Sequence, residues 1–245
     1  MEWGLLWGAL GFFAGGVLKG AVGAGAPLLG VPLLALIYDV PLAVAVFTLP
    51  NLVSNVWQAW TFRRHDPAPR FSAIFAGAGA VGALGGSILL VSLPGEALMA
   101  TVGTLVLVYI GVRLARPGWA LARATAYRLA APMGLVGGLL QGAGGLSAPI
   151  SLTFLSAMRL ERLAFIATVS VFFTAVSAVQ IPTLWALGVL TPERLALSAL
   201  AVLPLFAGIP VGQTLARRIS RTAFDRVILV ILAAIALRLI WAALA

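Results

Sequence analysis

Two apolar stretches are longer than a bilayer is thick, and they constrain the fold more than any other feature. Residues 4–38 run for about 35 residues with one charge, Lys19, and residues 129–158 carry none. As one straight helix, 4–38 would rise roughly 52 Å against a hydrocarbon core of about 30 Å. Tilt absorbs part of such an excess. A hairpin that enters, turns and leaves on the same side absorbs all of it, with limbs of about 14 residues rising roughly 21 Å. Six further apolar runs, 42–62, 71–93, 96–115, 163–188, 195–216 and 223–245, have the length of single crossings.

With 62% hydrophobic and only 9% charged residues, a soluble domain would need an interior for almost every helix. The class this implies is an all-α integral membrane protein. The chain has no cysteine, which excludes thiolate metal sites and thiol chemistry. No catalytic residue, metal ligand set or cofactor is expected. The net charge of +9 is spread in short clusters between apolar runs, a pattern that reports membrane orientation and not nucleic-acid binding. The opening MEWGLLWG lacks a basic start and a cleavage region, so it reads as mature sequence.

The arginines distinguish crossing from hairpin. If all eight segments cross, Arg63, Arg64, Arg70, Arg113, Arg116, Arg123, Arg128 and Arg194 face one side and Arg159, Arg162, Arg217, Arg218, Arg221 and Arg226 the other, eight against six. If the first and fifth segments are re-entrant, Arg194 stands alone and the other thirteen share a side, which the positive-inside rule makes cytoplasmic. Glu2, Asp39, Glu96 and Glu193 then fall outside. The expected setting is a multi-pass protein of the cell (inner/plasma) membrane with cytoplasmic arginine-rich loops.

Both overlong segments carry the same motif. GGVLKGAVGAGAP at 15–27 aligns without a gap over GGLLQGAGGLSAP at 137–149, with eight of thirteen positions identical. The same offset of 122 pairs Asp39 with Glu161 and Gln58 with Gln180. The expected organisation is two repeats, each a re-entrant helical hairpin plus three transmembrane helices. The first is 1–115, with its hairpin at 4–38. The second is 129–245, with its hairpin at 129–158. A cytoplasmic connector, 116–128, carries Pro117, Gly118 and three arginines. Three crossings is an odd number, so the halves are inverted relative to each other.

Non-helical backbone inside a bilayer survives only where protein or a polar cavity satisfies it. Pro27 and Pro149 suit the first turn of a new helix, and the glycines before them leave backbone N–H groups uncovered. Two such helix starts, meeting from opposite sides, would form an anion site. Lys19 sets the sign: a lysine at this depth costs about 2.5 kcal/mol or more without a counter-charge, and no acidic residue lies in a segment core. The natural counter-ion is a bound substrate. Gln141 stands at the matching position of the second motif. Polar stripes follow each hairpin: Thr48, Asn51, Ser54, Asn55 and Gln58 in one half, Ser170, Thr174, Ser177 and Gln180 in the other. They either line a pathway or bond neighbouring helices, with Asn51, Asn55 and Gln180 assigned to the pathway. The candidate substrate-binding set is therefore Lys19, Gly20, Gly23, Gly25, Asn51, Asn55, Gln141, Gly142, Gly144, Gly145, Ser147 and Gln180.

In the two glycine motifs, the polar segment after each and a length near 250 residues, the chain resembles the TauE/SafE family of sulfite and organosulfonate exporters. That resemblance covers nearly the whole chain and implies a bacterial-type membrane carrier that moves sulfite, sulfoacetate or related sulfonates outward. By motif, its binding region would fall on Lys19 to Gly25 and Gln141 to Ser147. The partners implied are a small anionic substrate and membrane lipid, with no nucleic acid, and a homo-oligomer is left open. An anion channel, or a carrier of another small anion such as a carboxylate, is the alternative. A membrane hydrolase using Ser147 lacks a histidine base, since the lone His65 lies in the loop RRHDP; no enzyme is expected.

Overall fold

The computed structural model describes residues 2–115, 119–218 and 221–244, with the side chains of 2–5 and 221–225 outside that description. Arg116, Pro117 and Gly118 of the expected connector lie outside the described residues, as does the side chain of Arg221. Ten α-helices make up the described chain: α1 (Glu2–Val22), α2 (Ala26–Ile37), α3 (Val40–Phe62), α4 (Pro69–Ser92), α5 (Gly95–Ala115), α6 (Arg123–Gly144), α7 (Ser151–Ala157), α8 (Arg162–Ala186), α9 (Pro192–Arg218) and α10 (Arg221–Leu244). A short 3-10 turn, Arg63–His65, extends α3.

Among the described residues six helices, α3, α4, α5, α8, α9 and α10, are long and apolar enough to cross a membrane. They correspond to the six runs of single-span length. Large side chains lie bare on their outer surfaces, such as Leu203, Val230 and Trp241, an outside that suits lipid and not water. The starts follow local chemistry. Asp39 caps α3 by accepting from the Leu42 N–H at 2.6 Å, and Pro69 and Pro192 open α4 and α9, where a missing donor costs nothing.

Both overlong segments break at their glycines. Positions Gly8, Gly11 and Gly15 of α1 lie against Leu34, Leu33 and Ala26, so α2 runs back along α1 as an antiparallel hairpin. Its limbs are 21 and 12 residues, and those of the α6/α7 pair are 22 and 7, in place of equal limbs near 14. Helix α6 starts at Arg123, six residues before the apolar run that begins at 129. Arg123 and Arg128 read as loop because they are charged, yet no breaker separates them from the apolar run and arginine is a good helix former.

The motif's duplication extends into the packing. A Cβ added at Gly16 or Gly20 of α1 would strike the carbonyl oxygen of Leu205 or Ile209 on α9. One added at Gly138 or Gly142 of α6 would strike that of Gly79 or Ala83 on α4. Conversely, Gly208 and Gly212 abut the carbonyls of Phe13 and Val17, while Gly82 and Gly86 abut those of Leu135 and Leu139. Each pair maps onto its counterpart if α1 is shifted by 122 positions and α4 by 126. The extra four residues are about one helical turn. So the long limb of each hairpin lies on a helix of the other half. The GxxxG spacings at 16/20, 82/86, 138/142 and 208/212 are the sequence signal for these contacts. Between the two interfaces, α3 meets α8 through Asn51 with Ser177 and Gln58 with Ser170. As one position rises the other falls, so the two helices are antiparallel.

Candidate functional site

The two breaks begin with the same bond at equivalent positions. Gly23 N–H donates to Lys19 O at 2.7 Å, and Gly145 N–H donates to Gln141 O at 2.8 Å. Both glycines are left-handed, at φ 91° and 69°, a conformation that side-chain-bearing residues rarely adopt. Then the halves diverge. Gly25 is also left-handed, φ 89°, and α2 restarts at once with Pro27 in its first turn. Its counterpart is Ser147, which is not left-handed, and α7 forms only from Ser151. Pro149 thus lies in a turn before the helix, which corrects the expectation that it opens one.

The two tips meet. Gly25, Pro27 and Leu28 of the first hairpin and Leu146, Ser147, Ala148 and Leu152 of the second line one crevice, closed by Gln141 and Phe173, with about 170 Å³ between its atoms and room for roughly one water. A second crevice, too tight for a water, lies among Val44, Phe47, Thr48, Asn51, Gln141, Gly145 and Gln180. Gln141 is the side chain common to both. Its Oε1 is buried without a hydrogen-bond partner, as are Thr174 Oγ1 and Ser72 Oγ. Such an orphan acceptor calls for a reason.

Lys19 is 2% exposed. Its Nζ donates to Asn55 Oδ1 at 2.8 Å. Asn55 Nδ2 donates to the Asn51 backbone oxygen at 2.7 Å and to Asn51 Oδ1 at 2.8 Å, and Asn51 Nδ2 donates to Ser177 Oγ at 3.0 Å. A chain of amides therefore links the ammonium to the wall of the second crevice, polarised along its length. Its position in the last turn of α1 also sets the ammonium near the negative end of the helix dipole. Neutral dipoles soften a buried charge without balancing it.

The remaining candidates divide by what they touch. Gln180 lines the second crevice and its Nε2 donates to Gln141 O at 3.3 Å. Ser147 lines the first and accepts from Ser151 Oγ at 2.8 Å. Gly25 and Gly145 form crevice wall, and Gly23 faces the Ile166 side chain. By contrast, Gly20 and Gly142 face the backbones of α9 and α4, and Gly144 faces Val102, 3.1 Å from where a Cβ would stand. Within the polar stripes, Asn51, Thr48 and Gln180 wall a crevice, while Ser170 Oγ donates to Gln58 Oε1 at 3.2 Å between helices. Sequence reasoning missed the apolar walls, Val44, Phe47 and Phe173. Nothing separates them from other buried residues in an oily chain.

Against known proteins, the model of a family described as "Sulfite exporter TauE/SafE" matches residues 7–239. No curated protein and no solved structure matches the chain.

Proposed function

The chain belongs to the TauE/SafE sulfite exporter family of membrane transporters, and from that premise we propose that it exports small sulfur-containing anions, sulfite or an organosulfonate, by alternating access around the two hairpin tips. One observation carries the reading: the tips share a crevice, and a buried ammonium with no acidic partner in its hydrogen-bonded chain is linked through Asn55 and Asn51 to the wall of the neighbouring one. An anion entering between the tips meets Gln141 and Ser147, and Lys19 can exchange Asn55 for a full counter-charge. The site residues proposed are Lys19, Asn51, Asn55, Gln141, Ser147 and Gln180, with the backbone at Gly23, Gly25 and Gly145; Gly20, Gly142 and Gly144 hold the limbs.

The halves are proposed to be inverted, residues 1–115 against 129–245, with arginine-rich loops in the cytoplasm. The antiparallel course of α3 against α8, and the exchange of packing partners between halves, support this. Glycine interfaces without interlocking side chains suit rocking or sliding of the long limbs. A cytoplasm-negative potential favours anion exit by about 2.3 kcal/mol per charge per 100 mV, so export needs no coupled ion.

Purified protein in liposomes should give saturable sulfite flux accelerated by sulfite on the opposite side. Flux that never saturates would make it a channel, and flux of carboxylates alone would overturn the substrate. Single cysteines at the exposed positions Asp39 and Arg159 should label from opposite faces of the membrane; same-face labelling would defeat the inversion.

A further inference from the structure

Among the described buried residues, Lys19 alone carries a formal charge; the other buried polar side chains are hydroxyls and amides. Resting on the proposed function, we infer that the site takes a solute bearing one negative charge, hydrogensulfite or a monosulfonate, that it rejects dianions, and that Gln141 sets this limit.

The argument is charge balance in a dry interior. A monoanion beside Lys19 leaves the centre neutral. A dianion leaves one uncompensated charge, which neutral dipoles such as Asn51, Thr48 and Gln180 solvate but do not cancel. Arg162 also reaches the first tip, where its guanidinium donates to Ala21 O at 3.1 Å from an exposed position, and there water and salt screen it. From α3 the ammonium meets the amide of Asn55, and its neighbours in the chain, Gly20 and Gly23, lie against the α9 backbone and the Ile166 side chain of α8. None of these adds charge.

Gln141 is the place where a second charge would go. It occupies the position equivalent to Lys19, ends its helix with the same capping bond, and lines both crevices. Its unpartnered Oε1 shows that its amide is not consumed by the fold; turned about, the amide offers N–H donors to a solute. A lysine there would give the centre two cations.

Isethionate and sulfoacetate test this, being near-equal in size but carrying one and two charges. In liposomes holding the wild-type protein, sulfoacetate should compete with labelled isethionate about tenfold or more weakly than unlabelled isethionate does. Sulfite flux should fall as pH rises through neutrality and hydrogensulfite loses its proton, while isethionate flux stays level. Gln141→Lys should raise sulfoacetate relative to isethionate by about tenfold. Equal competition by sulfoacetate in the wild type, or sulfite flux that holds into alkaline solution, overturns the one-charge limit and leaves the exporter reading standing. No flux of any of the three anions sinks that reading and the inference with it. The wild-type competition decides even where the variant fails to insert.

Discussion

The two hairpins start from nearly the same thirteen residues and end as different objects. In the first, Gly25 turns left-handed and a 12-residue limb restarts immediately. In the second, Ser147 does not, and six residues, 145–150, separate α6 from a 7-residue limb. The short limb is held by aromatic contact: Phe154 lies 6.1 Å from Phe71 and 5.7 Å from Phe75, and Phe75 stacks on Phe172 at 4.5 Å. The first hairpin relies on its length and on one stacked pair, Phe12 with Phe47 at 5.0 Å. Where the two agree is as informative as where they differ. The capping bonds and the glycine interfaces are duplicated, while the charge and the course of the chain after the cap are not. One half carries the cation and an early helix start; the other carries a neutral amide and a longer, serine-bearing turn.

The strongest test of what is shared concerns the interfaces. Gly20→Leu and Gly142→Leu each force a side chain into a backbone carbonyl of the facing helix, and each should cost about 3 kcal/mol. Both should lower the melting temperature in detergent by similar amounts. A half that tolerates leucine would break the equivalence.

Next in size comes the difference in charge. Lys19→Ala should weaken sulfite binding about 100-fold, as expected for losing a charge-assisted contact, and Gln141→Ala about 5-fold. Ligand-induced thermal shifts on the purified variants measure both. Equal losses would mean that the two tips share the anion evenly.

The smallest effect sharpens the turn geometry. Gly25→Ala places a side chain at φ 89° and should cost about 1–2 kcal/mol of stability. Ser147→Ala removes one of two acceptors for Ser151 Oγ, whose bond to the Ser147 carbonyl remains, about 1 kcal/mol or less. Chemical denaturation in detergent would separate them; an alanine at 25 that costs nothing would argue against the left-handed turn.

Much of this was readable in residue order, for reasons specific to each element. The helix break at Gly23–Gly25 follows from glycine density before a proline, a local signal. The six crossings follow from run length. The amide stripe on α3 shows in the spacing of Asn51, Asn55 and Gln58, all of which are buried. Other features were out of reach. The partner of Lys19 is 36 residues away on another helix, and no pattern near Lys19 names it. The start of α7 at Ser151, two residues after Pro149, has no local signal in the sequence. The crevice walls Phe47 and Phe173 look like any other core phenylalanine.

Class, duplication and the sign of the central charge came directly from residue order, because hydrophobic length, repeated motifs and a lone lysine are properties that add up along a chain. Which limbs lie together, where the tips converge and what Lys19 touches depended on the assembled helices. Those choices turn on contacts between residues far apart in the chain, from Lys19 with Asn55 to Asn51 with Ser177 and Gly16 with Leu205, and such contacts exist only once every neighbouring surface is in place.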